Sequence, residues 1–374
     1  MTSIPVKAVP FNEDEMPLID ERPVVLFAGI FAPTFDSTFM SKGFEKAGYR
    51  VVVMDWQKIK FNSTEEYNTV QFDEAENKYK EVPVKIDGIK VLQDILIKKA
   101  NQEQPDLIFL HIQSEGILNT LIVDELQRIA PTVIYNFDCR KADKMQWLYD
   151  LVPYVELVCF SNLEDVQNCR KLGYKNTAVL QSSADYDHYK SEDAIKKLTN
   201  LFTDEFEHEI VFIGNRFDNS NLDFENTVQR TQMVEFLEKE YGDRFKAWGI
   251  GFSRMVNQQE EKIIYNRAKI AICQNNFYKV NYQSDRAFRA MGCGVLTIMQ
   301  QYPEINKDFN PMVASVWLTF DMLKEQIDKH LENDLLRYGK AKAGAEFVRE
   351  NHSWYNRVCQ LQELMKLNTL IKAS

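Results

Sequence analysis

Glu209-Ile210-Val211-Phe212-Ile213-Gly214 is a short run of β-branched and aromatic residues closed by a glycine, and it follows a long polar stretch. The same construction stands near the start of the chain as Val24-Val25-Leu26-Phe27-Ala28-Gly29. Apolar runs without polar alternation mark strands covered on both faces. Strands of that kind separated by helical stretches imply a parallel sheet. The run at 209–214 therefore reads as the pattern starting again, and it sets the fold class as α/β: two doubly wound parallel-sheet halves in succession.

Working outward, the first half carries further strand-like runs at 51–54, 106–110, 133–135, 157–160 and 177–180, with helical stretches near 91–101 and 118–129 between them. The second half repeats the alternation. A helix bearing Met233, Phe236 and Leu237 is followed by strands at 245–249 and 268–273, a helix over 285–291 and a strand at 294–298. Three helices close the chain, at 323–331, 337–349 and 355–371, and the last is long enough to return over the first domain. The polar stretch 182–200 reads as the crossing. The expected units are a first domain at 1–190, a second at 191–352 and the terminal helix at 353–374. A chain of 374 residues suits two domains of ordinary size.

A net charge of −10 argues against a broad nucleic-acid surface, which needs clustered lysine and arginine, although a local basic cleft is compatible with it. No stretch has the roughly 18–20 apolar residues of a membrane span, and residues 1–20 carry no leader pattern. The 6 cysteines are scattered without C-x-x-C pairing, so they read as reduced, structural residues of a cytoplasmic protein. The 5 histidines are isolated, which disfavours zinc. Asp185-Tyr186-Asp187 has the form of a D-x-D metal motif but falls in the crossing, so no metal site is expected. The dinucleotide fingerprint, the P-loop and the G-x-S-x-G elbow are all absent from the sequence.

In open parallel sheets ligands sit beyond the carboxyl ends of the strands. The loop after the first strand holds Asp36 and Ser37, either as caps of the next helix or as groups facing the cleft. After the strand at 209–213, Gly214 allows close backbone approach and Arg216 is positioned to reach a diphosphate, or else is a plain turn residue. The stretch Asn281–Leu296 is the most informative. Ser284 or Asp285 caps a helix whose first turn carries Arg286, with Arg289 on the same face. Cations at a helix N-terminus oppose its dipole, and a bound phosphate would reconcile them. The competing reading is a surface ion-pair cluster of little worth.

Phe212-Ile213-Gly214-Asn215, Trp248-Gly249, the block Ser284–Gly294 and His352-Ser353-Trp354-Tyr355-Asn356-Arg357 occur in an order and spacing that resemble the group 1 glycosyltransferases. Within that group the CgeB-like (spore-maturation-protein-like) branch is the most similar. The likeness covers about 210–361, while the first half matches in layout alone. It implies a GT-B fold: two Rossmann-like domains facing across a cleft, the second binding a nucleotide sugar, usually without a metal and with no other cofactor. Carried over, Gly214, Asn215, Trp248, Gly249, Ser284 and Arg286 surround the donor, with Asp285 nearby. The family commonly has glutamate, expected to bind ribose hydroxyls, where this chain has Arg289, and a guanidinium cannot accept hydrogen bonds. Three outcomes are open: Arg289 contacts phosphate, another group such as Asp285 holds the ribose, or donor binding is lost.

Sugar transfer builds negative charge on the departing diphosphate, which Arg216, Arg286 and Arg289 would stabilise. An inverting enzyme would also need a base, for which Asp36 and Asp138 are the candidates. The acceptor is open: a glycan, a small molecule, a protein or a modified DNA base such as a hydroxymethylpyrimidine, with DNA disfavoured by the net charge. A catalytically silent nucleotide-sugar-binding protein and a sugar-nucleotide epimerase on the same fold are the alternatives.

Overall fold

The computed structural model describes residues 21–32, 35–73, 78–112, 114–138, 140–190, 206–215 and 227–373. The expected leader-free start, the end of the crossing beyond Lys190 and Arg216 lie outside the described residues.

Six strands make the first sheet: β1 (Val24–Gly29), β2 (Arg50–Asp55), and, after a hairpin of β3 (Glu65–Asp73) and β4 (Lys78–Ile86), β5 (Leu107–Leu110), β6 (Thr132–Asn136), β7 (Leu157–Phe160) and β8 (Thr177–Val179). They pair in the order β2-β1-β5-β6-β7-β8, all parallel. The second sheet has β9 (His208–Ile213), β10 (Phe245–Trp248), β11 (Ala268–Cys273), β12 (Leu296–Gln300) and β13 (Ser315–Trp317) in the order β10-β9-β11-β12-β13, again all parallel. In both sheets the strand order reverses at the first strand, so the crevices open at the carboxyl ends of β1 and β9.

Alternation along each strand explains the unbroken apolar runs. Leu26, Ile108, Ile134 and Val158 point into one core, under the helices Gly88–Glu103 and Thr120–Ile129. Their neighbours Val25, Phe27, Phe109, Val133 and Cys159 point into another. That second core does not stop at the domain border: it continues through Val211, Ala271, Phe288 and Met291 of the second half. The far face of the second sheet has its own core around Phe212, Ile270, Leu296 and Ile298.

The terminal helix Trp354–Ala373 does pack back on the first domain. Trp354, Val358 and Leu361 are buried in the shared core, and the Trp354 ring meets Tyr135 edge-on at 6.2 Å. Gln362 Nε2 donates to the Tyr49 hydroxyl at 3.2 Å, and Asn368 Nδ2 donates to the Glu156 carbonyl at 2.6 Å. Arg357 donates to the carbonyls of Gln181 and Ser182, where the chain leaves the first domain. The loop before the helix Asp285–Gly292 docks on the first domain as well: Leu163 N donates to the Val280 carbonyl, Lys279 Nζ to that of Arg140 and Gln181 Nε2 to that of Asn281.

The β3–β4 hairpin was not expected from the sequence. Its strands mix charged and apolar residues and pair antiparallel with each other, outside both main sheets, so neither has the unbroken apolar sequence that marked the other strands. β13 was missed because it is 3 residues long. Asp185, read as half of a D-x-D pair, caps the short helix Tyr186–Tyr189, its carboxylate accepting from Asp187 N at 3.0 Å.

A Cβ added at Gly43, in the helix Ser37–Lys46, would stand 2.8 Å from the carbonyl carbon of Trp354. Gly→Ala in a helix ordinarily stabilises by up to about 1 kcal/mol. Gly43→Ala should instead destabilise by about 1–3 kcal/mol through overpacking, read as a lower urea midpoint.

Candidate functional site

A cleft of about 330 Å³ opens between the carboxyl ends of β1 and β9, lined from the first domain by Phe35, Asp36, Phe137, Asp138 and Ser182. Gly214, Asn215, Gly249, Ser284, Asp285, Arg286 and Arg289 line it from the second. Trp248 does not: its indole packs on His208 at 5.2 Å, and its contribution is the carbonyl that accepts from Gly214 N at 2.9 Å.

Two glycines bring the loops after β9 and β10 together. Gly249 has φ +132°, and a Cβ there would fall 2.0 Å from the Gly214 carbonyl oxygen, so any side chain would part the loops. A Cβ at Gly214 would meet the Phe212 ring at 2.9 Å and the Arg286 guanidinium at 3.5 Å. The Asn215 side chain accepts from Ile250 N at 3.0 Å, tying one loop to the other.

Ser284 caps the helix Asp285–Gly292, and both its hydroxyl and the Asp285 carboxylate accept from Arg286 N, at 3.5 and 2.9 Å. The Arg286 side chain lies over Gly214 and forms no ion pair among the described residues. Beneath it lies Arg230, which sequence reading missed. Its guanidinium donates to the carbonyls of Asn215 and Gln274, at 2.9 and 2.8 Å, and sits over the Phe212 ring. Arg230 also lacks an ion pair among the described residues, and burial, reinforced by Arg286, holds its pKa well below the ordinary arginine value. A signal was available: three and four residues on, Met233 and Val234 are buried, so a charge at 230 falls on the apolar face of its helix.

Arg289 is not on the surface. Its guanidinium is held by three carboxylates: Asp36 at 2.5 Å, Asp285 at 2.6 Å and Glu261 at 2.9 Å. It also lies over the Tyr189 ring at 5.6 Å. Asp36 comes from the first domain, so this cluster joins the domains across the cleft floor. Asp36 does not cap its helix, contrary to one of the two sequence readings; no side-chain cap bond is made there. One of its oxygens accepts from Arg289 and from Gln258 Nε2, while Oδ2 is buried without a partner among the described residues. Burial pushes the Asp36 carboxyl up, to about 7; Arg289 opposes this while Asp285 and Glu261 add to it. For Asp285, burial acts upward too, but Arg289, Arg286 and the Ser284 hydroxyl outweigh it and hold the group below the usual carboxylate range.

Ser37 has a structural task. Its Oγ accepts from Ile30 N and bonds His111 Nδ1, each at 3.1 Å, and it fills the space a side chain at Gly29 would need. Burial pushes His111 down to about 3, so the ring is neutral. Asp138 stands at the cleft with Arg140 3.9 Å away; desolvation raises its carboxyl and Arg140 lowers it, with a net upward shift. Among the described residues no group of three or more His, Cys, Asp or Glu is placed to hold a metal ion.

Residues 198–363 match the family model described as glycosyl transferase-like. No curated protein matches the chain in sequence. Among solved structures, HepE from Anabaena in complex with UDP and glucose superposes with a TM-score of 0.61 at 10% identity, over 92% of this chain and 99% of that one. Sucrose-phosphate synthase from Thermosynechococcus elongatus gives 0.59 at 12%, over 94% and 100%. A glycosyltransferase from Rickettsia africae gives 0.54 at 10%, over 93% and 99%. At these identities the likeness is one of fold, and the fold is GT-B.

Removing the Arg289 guanidinium strands two buried carboxylates, Asp36 and Glu261, and the partly buried Asp285, so Arg289→Ala should cost about 3–5 kcal/mol, measured by denaturant unfolding. Asp36 keeps its proton to about pH 7 when folded but to only about 3.8 when unfolded. The folded chain then binds more protons between those values, so its contribution to stability is present at low pH and is lost as pH rises from about 4 to about 7. Asp36→Asn should flatten that part of the unfolding-midpoint profile between pH 4 and 8.

Proposed function

We propose that this chain is a group 1 glycosyltransferase, nearest the CgeB-like branch, which moves a sugar from a nucleotide-sugar donor to an acceptor hydroxyl. The observation that carries this reading is the Arg286 guanidinium. It is free of any ion pair among the described residues, lies over Gly214 at a helix N-terminus, and faces a buried carboxylate of the opposite domain across one cleft. The glycosyl transferase-like match over 198–363 and the UDP-bound HepE neighbour support the same reading and favour a uridine diphosphate donor.

The chemistry follows from charge. As the bond from the anomeric carbon to the diphosphate oxygen breaks, negative charge grows on the leaving group. The Arg286 guanidinium, at the start of the helix Asp285–Gly292, would receive it, with Arg230 adding positive potential from below. We place the donor diphosphate there without a metal, because these groups supply the cation. The acceptor oxygen bonds to the anomeric carbon and gives its proton to Asp36, whose partnerless Oδ2 and near-neutral pKa suit a general base. That assignment makes the transfer inverting. Asp138, beside the same cleft, would orient the acceptor. Both terminal nitrogens of the Arg289 guanidinium are taken by carboxylates, and the residue is not assigned to phosphate.

UDP binding followed by calorimetry tests the donor site: Arg286→Ala should weaken it at least tenfold, and undiminished affinity would refute the assignment. Asp36→Asn should lower kcat by about 10²–10⁴-fold while leaving UDP affinity within a factor of two or three. A retained anomeric configuration, seen by NMR of the product, would remove Asp36 as the base.

A further inference from the structure

The cleft floor contains a second carboxylate with an unpartnered buried oxygen, and it belongs to the other domain. Glu261 lies on the helix Gln258–Asn266, whose start is fixed by a capping box between Asn257 and Glu260. Gln258 and Glu261, three residues apart, share the face turned to the cleft, while Ile264 and Tyr265 anchor the helix in the core. The Glu261 carboxylate is unevenly used. Oε2 accepts from Arg289 Nη1 at 2.9 Å and from the Tyr189 hydroxyl at 3.0 Å. Oε1 has no partner among the described residues, although the residue is 3% exposed and lines the cleft.

A buried carboxylate oxygen without a donor is costly, and a hydroxyl is the ligand group that satisfies it. Which hydroxyl follows from the domain. Asp36 rises from the first domain, opposite the donor. Glu261 is part of the rigid unit that carries Gly214, Gly249 and Arg286, so it meets whatever that unit holds. Arg289, next to it, is donor-only and cannot read a hydroxyl, but it fixes Oε2 and so aims Oε1. We propose that Glu261 is the hydroxyl-reading group of the donor site, accepting through Oε1 from a hydroxyl of the nucleotide sugar, on either its ribose or its sugar ring. This rests on the donor-site reading given above.

The test compares UDP, 2′,3′-dideoxy-UDP and UDP-glucose on the full chain and on Glu261→Gln. In that variant the amide oxygen stays with Arg289 and the NH₂ group faces the cleft. If the hydroxyl is on the ribose, Glu261→Gln should weaken UDP about tenfold, leave dideoxy-UDP unchanged and erase the wild-type preference between them. If it is on the sugar, UDP affinity should hold and UDP-glucose should lose the tenfold. A folded Glu261→Gln protein that binds all three as the wild type does overturns the proposal while the donor site stands. Wild-type protein that binds none of them overturns both. Should Glu261→Gln fail to fold, Glu261→Asp, which keeps the charge near Arg289 but draws the oxygen back by one methylene, is read in the same way.

Discussion

One guanidinium shared by three carboxylates sits where the two domains meet, and much of the architecture is arranged around it. Asp36 reaches Arg289 from the first domain, Glu261 from a helix of the second, and Asp285 from one turn earlier on Arg289's own helix. Three carboxylates against one guanidinium leave the cluster with an excess of negative charge, which a proton on one member lessens without removing, and burial selects Asp36 for that proton. The same bond that joins the domains therefore sets the protonation of the group proposed as base. Desolvation makes such clusters poor sources of net stability, and their use lies in fixing geometry.

The strands were legible because their sequences are: β1, β5 and β7 are uninterrupted apolar runs and β9 ends in one, and the parallel order follows from the helices between them. The second-domain wall of the cleft was legible for a similar reason. Gly214, Gly249, Ser284 and Arg286 each follow a strand or open a helix, so local patterning places them. The two distant partners of Arg289 were not legible. Its bond to Asp36 spans 253 positions and its bond to Glu261 spans 28. No periodicity encodes either, and without them Arg289 reads as a second phosphate ligand. The β3–β4 hairpin was hidden by its composition, in which charged and apolar residues mix without an unbroken apolar run.

The cleft divides its charges by domain. Arg286 and Arg230 gather after β9 on the side expected to hold a leaving group. Asp36 and Glu261 both bind Arg289, and each keeps one buried oxygen without a partner among the described residues. Cations where negative charge departs and acceptors where hydroxyls arrive are the division a sugar transfer calls for.

The continuous core and the terminal helix bear on how the chain is made. Val25, Phe27 and Phe109 share one core with Phe288 and Met291, and the cover over that face of the first domain is completed by Trp354, Val358 and Leu361. During synthesis the first domain, whose last strand ends at Val179, emerges about 175 residues before the helix that starts at Trp354. Its apolar face stays open for the tens of seconds that translation takes at ordinary rates of about 5–20 residues per second. The first domain is thus the last to finish folding, and a chaperone would meet it at that face.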